Sequence, residues 1–282
     1  MNIIGCLLLT LAAVAALGGC KGGGFDIKNV NIDNVLKSAA NLREVKEPEE
    51  IQIGQGMTET LLGARPLYDD KELQRYVNQV GLWIALQSER PHLPWHFGIT
   101  DSDHINAFAV PGGYVIVTKG MLKQLRNEAE LAGVLGHEIS HVTQRHHLKA
   151  LRKTAFASLL SEGAAGATQG RQAELVKSLA GPTREVYTRG LDKSDEFEAD
   201  RMGVVLAARA GYDPYGLPAV LTTLASADPK DTFLTLLYKT HPLPQARIDN
   251  ITPGMLTLDA INGPQNATRF QQYTKLLHVA SK

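Results

Sequence analysis

The sequence predicts an α+β fold that is mainly helical, with one small antiparallel β-sheet beside a long helix carrying paired histidines. Three observations predict it. Leu73, Tyr76, Val77, Val80 and Ile84 recur at helical spacing. Three short runs rich in aromatic and β-branched residues lie between Trp95 and Thr118, separated by turn-forming residues. From Met121 onward the pattern is again helical, with only short interruptions.

The chain has 282 residues, enough for one large domain, and ordinary globular composition: 44% hydrophobic and 21% charged. Its 29 basic and 29 acidic residues cancel, which leaves no global field to draw nucleic acid or anionic lipid. Nucleic acid is therefore not an expected partner.

Residues 1–19 read as a signal peptide. Ile3 to Leu17 is almost entirely apolar and too short to span a bilayer as a mature helix. It leads into Leu17-Gly18-Gly19-Cys20, which resembles the bacterial lipobox, although Met1-Asn2 supplies no basic side chain. The resemblance implies a lipid on Cys20 that anchors the chain to a membrane of the bacterial envelope, as a periplasmic lipoprotein, at the outer membrane before the inner. Cys6 would leave with the leader and Cys20 would carry lipid, so no disulfide is expected. Residues 20–25 form the lipidated Cys and a Gly-rich tether, and 26–282 the folded body, with its core at about 69–250.

Asp26 to Gly63 has helical stretches interrupted at Pro48. Asp69 or Asp70 caps a helix running to about Ser88, which Pro91 and Pro94 close. The first strand is Trp95 to Thr100, followed by an Asp101-Ser102-Asp103 turn. The second is Asn106 to Val110, followed by a Pro111-Gly112-Gly113 turn, and the third is Tyr114 to Thr118. Asn127, with Glu130 three residues on, opens a helix that extends to about Leu148. Residues 150–190 carry Arg152, Lys153, Glu162 and several glycines, so they form no membrane span. Helices follow over Asp195 to Ser226, Asp231 to Lys239 and the C-terminal region. No 34-residue helical repeat is visible.

His137-Glu138-Ile139-Ser140-His141 is an H-E-x-x-H pattern. On a helix, positions i and i+4 place both imidazoles on one face, suited to two corners of a zinc tetrahedron. Glu138 would stand beside the metal and take a proton from zinc-bound water. Leu131, Val134, Leu135 and Val142 flank the pattern, as expected for a buried helix in which unpaired His and Glu would be costly.

A catalytic zinc site needs a third protein ligand. Candidates cluster in Asp195-Glu196-Phe197-Glu198-Ala199-Asp200. Glu196 and Asp200 share a helix face, and an Asp there can accept the other N–H of a ligating His. Asp195 and Glu198 read as solvated acidic residues near a helix start. His241 and Arg247 are polar groups able to donate to a developing oxyanion. His146 and His147 are assigned to the helix surface, without a role.

Together these motifs resemble the zincin-like (gluzincin) metallopeptidase family that includes the Ste-type CAAX prenyl proteases and HtpX-like bacterial proteases. The resemblance rests on Asn106-Ala107-Phe108-Ala109-Val110-Pro111-Gly112-Gly113-Tyr114, Gly136 to His141, Glu196 to Asp200, and Thr240-His241-Pro242 with Arg247-Ile248, in the family's order. Asp192-Lys193 replace the family's usual Ser-Arg. It implies one Zn2+ per chain held by His137, His141 and Glu196, with Asp200 supporting a ligand and Glu138 catalytic. It implies that His241 and Arg247 stabilise the tetrahedral intermediate, that His241 caps the metal at rest, and that Asn106, Ala107, Phe108 and Ala109 bind an extended substrate. The expected function is zinc-dependent endopeptidase action on misfolded envelope proteins. The alternative is a chaperone-like binding module with a capped, largely inactive zinc site.

Overall fold

The computed structural model describes residues 45–161, 190–228, 230–258 and 261–279, without the side chains of 155–161 and 279. The leader, Cys20, the tether, the start of the body and most of the segment from 150 to 190 lie outside these residues.

Helix α1, Glu47–Ala64, begins with Pro48 in its first turn, so Pro48 opens this helix and does not interrupt it. Proline's fixed φ suits that position, where its missing N–H has no intrahelical partner to lose. Helix α2, Lys71–Ala85, is capped by Asp70, whose side chain accepts from the Leu73 amide. All five residues of its predicted stripe are buried.

Strands β1, His96–Thr100, β2, Ala107–Val110, and β3, Tyr114–Thr118, form one sheet in the order β1-β3-β2. The sheet is mixed, which corrects the antiparallel expectation. β2 and β3 pair antiparallel as a hairpin, whereas β1 pairs parallel to β3 with His96 opposite Tyr114. The cause lies in residues 101–105, which reverse the chain but do not pair β2 with β1 as a tight hairpin. Asp101 and Asp103 dock on Lys119 at 2.6 and 3.5 Å, and Ser102 accepts from the Gly120 amide. The chain therefore crosses the start of helix α3, Lys119–Gln124, before re-entering the sheet at its far side.

Helix α4, Glu128–Thr143, is buried at every position. A helix covered on all sides belongs at the centre of a fold. Leu131, Leu135 and Ile139 join Val77, Ile84 and Ile99 in the main core. Asn127 caps it as expected, accepting from the Glu130 amide at 2.9 Å. α4 ends five residues before the expected Leu148. Arg145 adopts a left-handed conformation with φ of 56° and breaks the helix, and α5, His146–Ser161, leaves in a new direction.

Beyond the segment to 190 come α6, Lys193–Arg209, and α7, Gly216–Ala225. A 3₁₀ turn, Thr232–Leu234, then leads into α8, Thr235–Thr240, α9, Pro244–Met255, and α10, Ala267–Val279. The helical stretch expected over Asp195 to Ser226 is formed by α6 and α7. α6 packs against α4 through Gly136 and Gly203. A Cβ on Gly136 would lie 2.7 Å from the Gly203 carbonyl oxygen, and one on Gly203 would lie 2.7 Å from the His137 amide nitrogen. Only glycine at both positions permits that approach, which carries the acidic face of α6 against the histidines of α4.

Candidate metal centre

The predicted donors converge. His141 Nε2 lies 3.0 Å from His137 Nε2 and 3.4 Å from Glu196 Oε1, and His137 Nε2 lies 3.7 Å from Glu196 Oε2. His241 joins them: its Nδ1 is 2.6 Å from Glu196 Oε2. One ligand atom from each of His137, His141, Glu196 and His241 fits within a 4.8 Å group.

Three features of this set suit a metal. The donors are two imidazoles and a carboxylate, with a third imidazole alongside, a zinc-type combination. Glu196 is fully buried, yet its Oε1 has no hydrogen-bond partner among the described residues. Burying a carboxylate oxygen in this way is costly unless a cation faces it. Finally, burial, reinforced by the neighbouring His137, holds His141 well below the ordinary imidazole range, so it stays neutral as a ligand must.

Electrostatics divides the surrounding groups. Burial pushes the Glu196 carboxyl up, but the charge and hydrogen bond of His241 outweigh it and hold Glu196 below its usual value. The same pair acts in reverse on His241: burial lowers it, and Glu196 raises it to a net upward shift. Burial raises Glu138. Glu138 stands between two clefts that flank His241. One is lined by Ala107, Phe108, Ala109, His147 and Leu191, and the other by Met121, Val134, Leu221 and Leu237.

Asp200 is fully buried behind His137, with Oδ1 2.9 Å from His137 Nδ1. Arg247 grips it with two bonds, Nε donating to Oδ2 at 2.9 Å and Nη2 to Oδ1 at 2.6 Å. Burial opposes the charge on Asp200, but Arg247 and His137 hold its carboxyl far below the carboxylate range. Arg247 thus contacts Asp200 and the back of His137, and it also lines the second cleft beside Glu138.

Ala107, Phe108 and Ala109 reach the cleft. Asn106 sits behind them, fully buried, with its Oδ1 accepting from the Ala107 amide. His146 and His147 are not on the surface. His146 is fully buried, with Nδ1 2.9 Å from His141 Nδ1 and Nε2 3.4 Å from Glu198 Oε2. His147 is half-buried with its ring centre 5.6 Å from that of His141, and burial pushes it down to about 3. Helical periodicity hid His146, because a continuous helix would turn it away from His141; the break at Arg145 brings it back.

Residues 71–253 match the model of peptidase family M48. The chain is 34% identical over 213 residues to the beta-barrel assembly-enhancing protease of Escherichia coli (strain K12), spanning 71% of this chain and 42% of that protein. It is 28% identical over 249 residues to Metalloprotease YcaL of the same strain, covering 87% and 95% of the two chains. It is 26% identical over 204 residues to the mitochondrial metalloendopeptidase OMA1 of Arabidopsis thaliana, covering 72% and 38%. The chain thus spans less than half the length of the assembly-enhancing protease and of OMA1.

Proposed function

The chain belongs to peptidase family M48, and from that premise and the site geometry we propose that it is a zinc-dependent endopeptidase acting on proteins of the bacterial envelope in quality control. The observation that carries the reading is the convergence, beside Glu138, of His137 Nε2, His141 Nε2 and Glu196 Oε1, a buried oxygen with no hydrogen-bond partner among the described residues. The envelope assignment draws on the likeness to the assembly-enhancing protease and on the leader ending at Cys20.

His137, His141 and Glu196 would hold one zinc ion. When bound, the ion would supply Lewis acidity, polarising the scissile carbonyl and making a water more acidic. Glu138 accepts the proton of the attacking water and passes it to the leaving amine; burial raises its pKa, which strengthens it as the base. An extended polypeptide lies along β2, past Ala107, Phe108 and Ala109. His241, already within the donor group, would cap a bound metal at rest, and its imidazole would otherwise serve as a donor to the oxyanion. Arg247 holds Asp200, and Asp200 holds His137; its buried positive charge also favours negative charge growing near Glu138.

Glu138→Gln keeps the shape of the side chain and removes the base. Zinc content should be unchanged at one per chain, while cleavage of an unfolded polypeptide falls by roughly 10² or more. Cleavage near the wild-type rate would remove Glu138 from the mechanism. Metal-loaded wild type that binds unfolded protein without cutting it would favour the chaperone-like alternative.

The lipid anchor on Cys20 has its own test. No described helix is long and apolar enough to cross a membrane. Cys20→Ser should move the protein from the membrane pellet to the soluble envelope fraction. Retention in the pellet after a high-salt wash would exclude the anchor.

A further inference from the structure

A second group of potential metal ligands lies beside the first: His146, Asp195 and Glu198. We propose that it is not a second metal site but a tautomer lock, in which His146 is the positioning residue for His141. The inference rests on the metal-site reading above and concerns how this chain prepares one of its ligands.

The argument is proton counting. His141 Nε2 points into the donor group, 3.0 Å from His137 Nε2 and 3.4 Å from Glu196 Oε1. To ligate, that nitrogen must present a lone pair, so a neutral His141 carries its proton on Nδ1. His141 Nδ1 faces His146 Nδ1 at 2.9 Å, a distance at which one must donate and the other accept. His141 is therefore the donor, and His146 Nδ1 the lone pair. The proton of neutral His146 is then on Nε2, which faces Glu198 Oε2 at 3.4 Å and Asp195 Oδ1 at 3.8 Å. Carboxylates accept only, so they favour this tautomer. Every atom in the chain from carboxylate to metal face has one consistent role.

A metal on His146 would reverse that chain. Ligation through Nε2 would move the His146 proton to Nδ1, opposite His141 Nδ1. His141 would then have to accept there and carry its own proton on Nε2, where it blocks ligation. With neutral imidazoles the two sites exclude each other. His146 is fully buried. It is the first residue of α5, directly after the left-handed Arg145.

The test measures zinc affinity of the full chain by competition with a chromophoric chelator, in wild type, His146→Leu and His146→Asn. Leucine fills the space without an acceptor. Asparagine places Oδ1 where His146 has Nδ1. Wild type should bind one zinc. His146→Leu should bind it roughly 10–100-fold more weakly, as expected for a lost partner of a ligating His, and His146→Asn should recover most of that loss. Undiminished affinity in His146→Leu would overturn the role of His146, and so would an Asn variant as weak as the Leu variant, since packing would then explain the loss. A second zinc in wild type that disappears in Glu198→Gln would overturn the lock in favour of a second site. Absence of zinc from wild type would instead overturn the metal reading itself. If His146→Leu does not fold, imidazole ¹⁵N NMR of the zinc-loaded wild type still decides. Protons on His141 Nδ1 and His146 Nε2 are expected, and a proton on His146 Nδ1 would overturn the proposal.

Discussion

Behind His137 lies Asp200, fully buried, gripped by the nearly buried guanidinium of Arg247. Behind His141 lies another imidazole, His146, whose own partners Asp195 and Glu198 have side chains 21% and 42% exposed. Both supports fix a tautomer, but they differ in what water can do. No water replaces a dry ion pair once one member is lost, and the remaining charge stays buried. The outer end of the His141 support is wet, and a lost carboxylate there leaves a group that solvent can satisfy. The same ligand helix is thus held by one support that is brittle and another that tolerates change at its rim.

The largest effect should come from breaking the dry support. Asp200→Ala leaves Arg247 buried without its partner and His137 Nδ1 without its acceptor. We expect a loss of about 3–5 kcal/mol in stability, measured on metal-free protein by urea unfolding, together with weaker zinc binding. A loss no larger than that of an exposed substitution would abolish the contrast. Titration gives a second view of the same pair. The Asp200 carboxyl is held below its ordinary value of 3.8. A lowered carboxylate pKa contributes stability that is complete above the unfolded value and is lost as pH falls toward the folded one. The stability gap between wild type and Asp200→Asn should therefore be widest near neutral pH and narrow below about pH 4. A gap that widens in acid would show that the charge on Asp200 is not what stabilises the fold.

This difference between the supports also marks what a reader of the sequence can see. Helix α2, its Asp70 cap, strand β3 and the Asn127 cap of α4 follow from local patterns, because apolar spacing and capping chemistry act within a few residues. Asp200 was legible because it shares a face with Glu196 four residues earlier on one helix. His146 was not legible. It stands five residues after His141, which on a continuous helix points elsewhere, and only the left-handed Arg145 restores the contact. Nothing in an arginine signals positive φ, since that conformation is set by tertiary contacts: Arg145 Nε reaches the buried Glu50 at 3.1 Å. The strand order escaped for a similar reason. Asp101-Ser102-Asp103 has the composition of a hairpin turn, and its docking on Lys119 and Gly120 is a long-range choice.

The smallest effect should come from the rim of the wet support. Glu198 Oε2 and Asp195 Oδ1 both face His146 Nε2, at 3.4 and 3.8 Å, so each stands in reserve for the other. Glu198→Ala removes the nearer acceptor, but Asp195 and solvent remain to receive the His146 proton. Asp195→Ala leaves the nearer one in place. Each single variant should change stability by no more than about 0.5 kcal/mol, the range of ordinary surface substitutions, and should leave zinc affinity close to wild type. The double variant should differ from the sum of the singles, because the second substitution removes the acceptor on which the first relied. Its zinc affinity should fall measurably while remaining above that of His146→Leu, since water can still accept at Nε2 whereas nothing replaces His146 Nδ1. Strict additivity in a double-mutant cycle on zinc affinity would show that the two carboxylates act independently. A large loss from Glu198→Ala alone would make the outer support as brittle as the inner one.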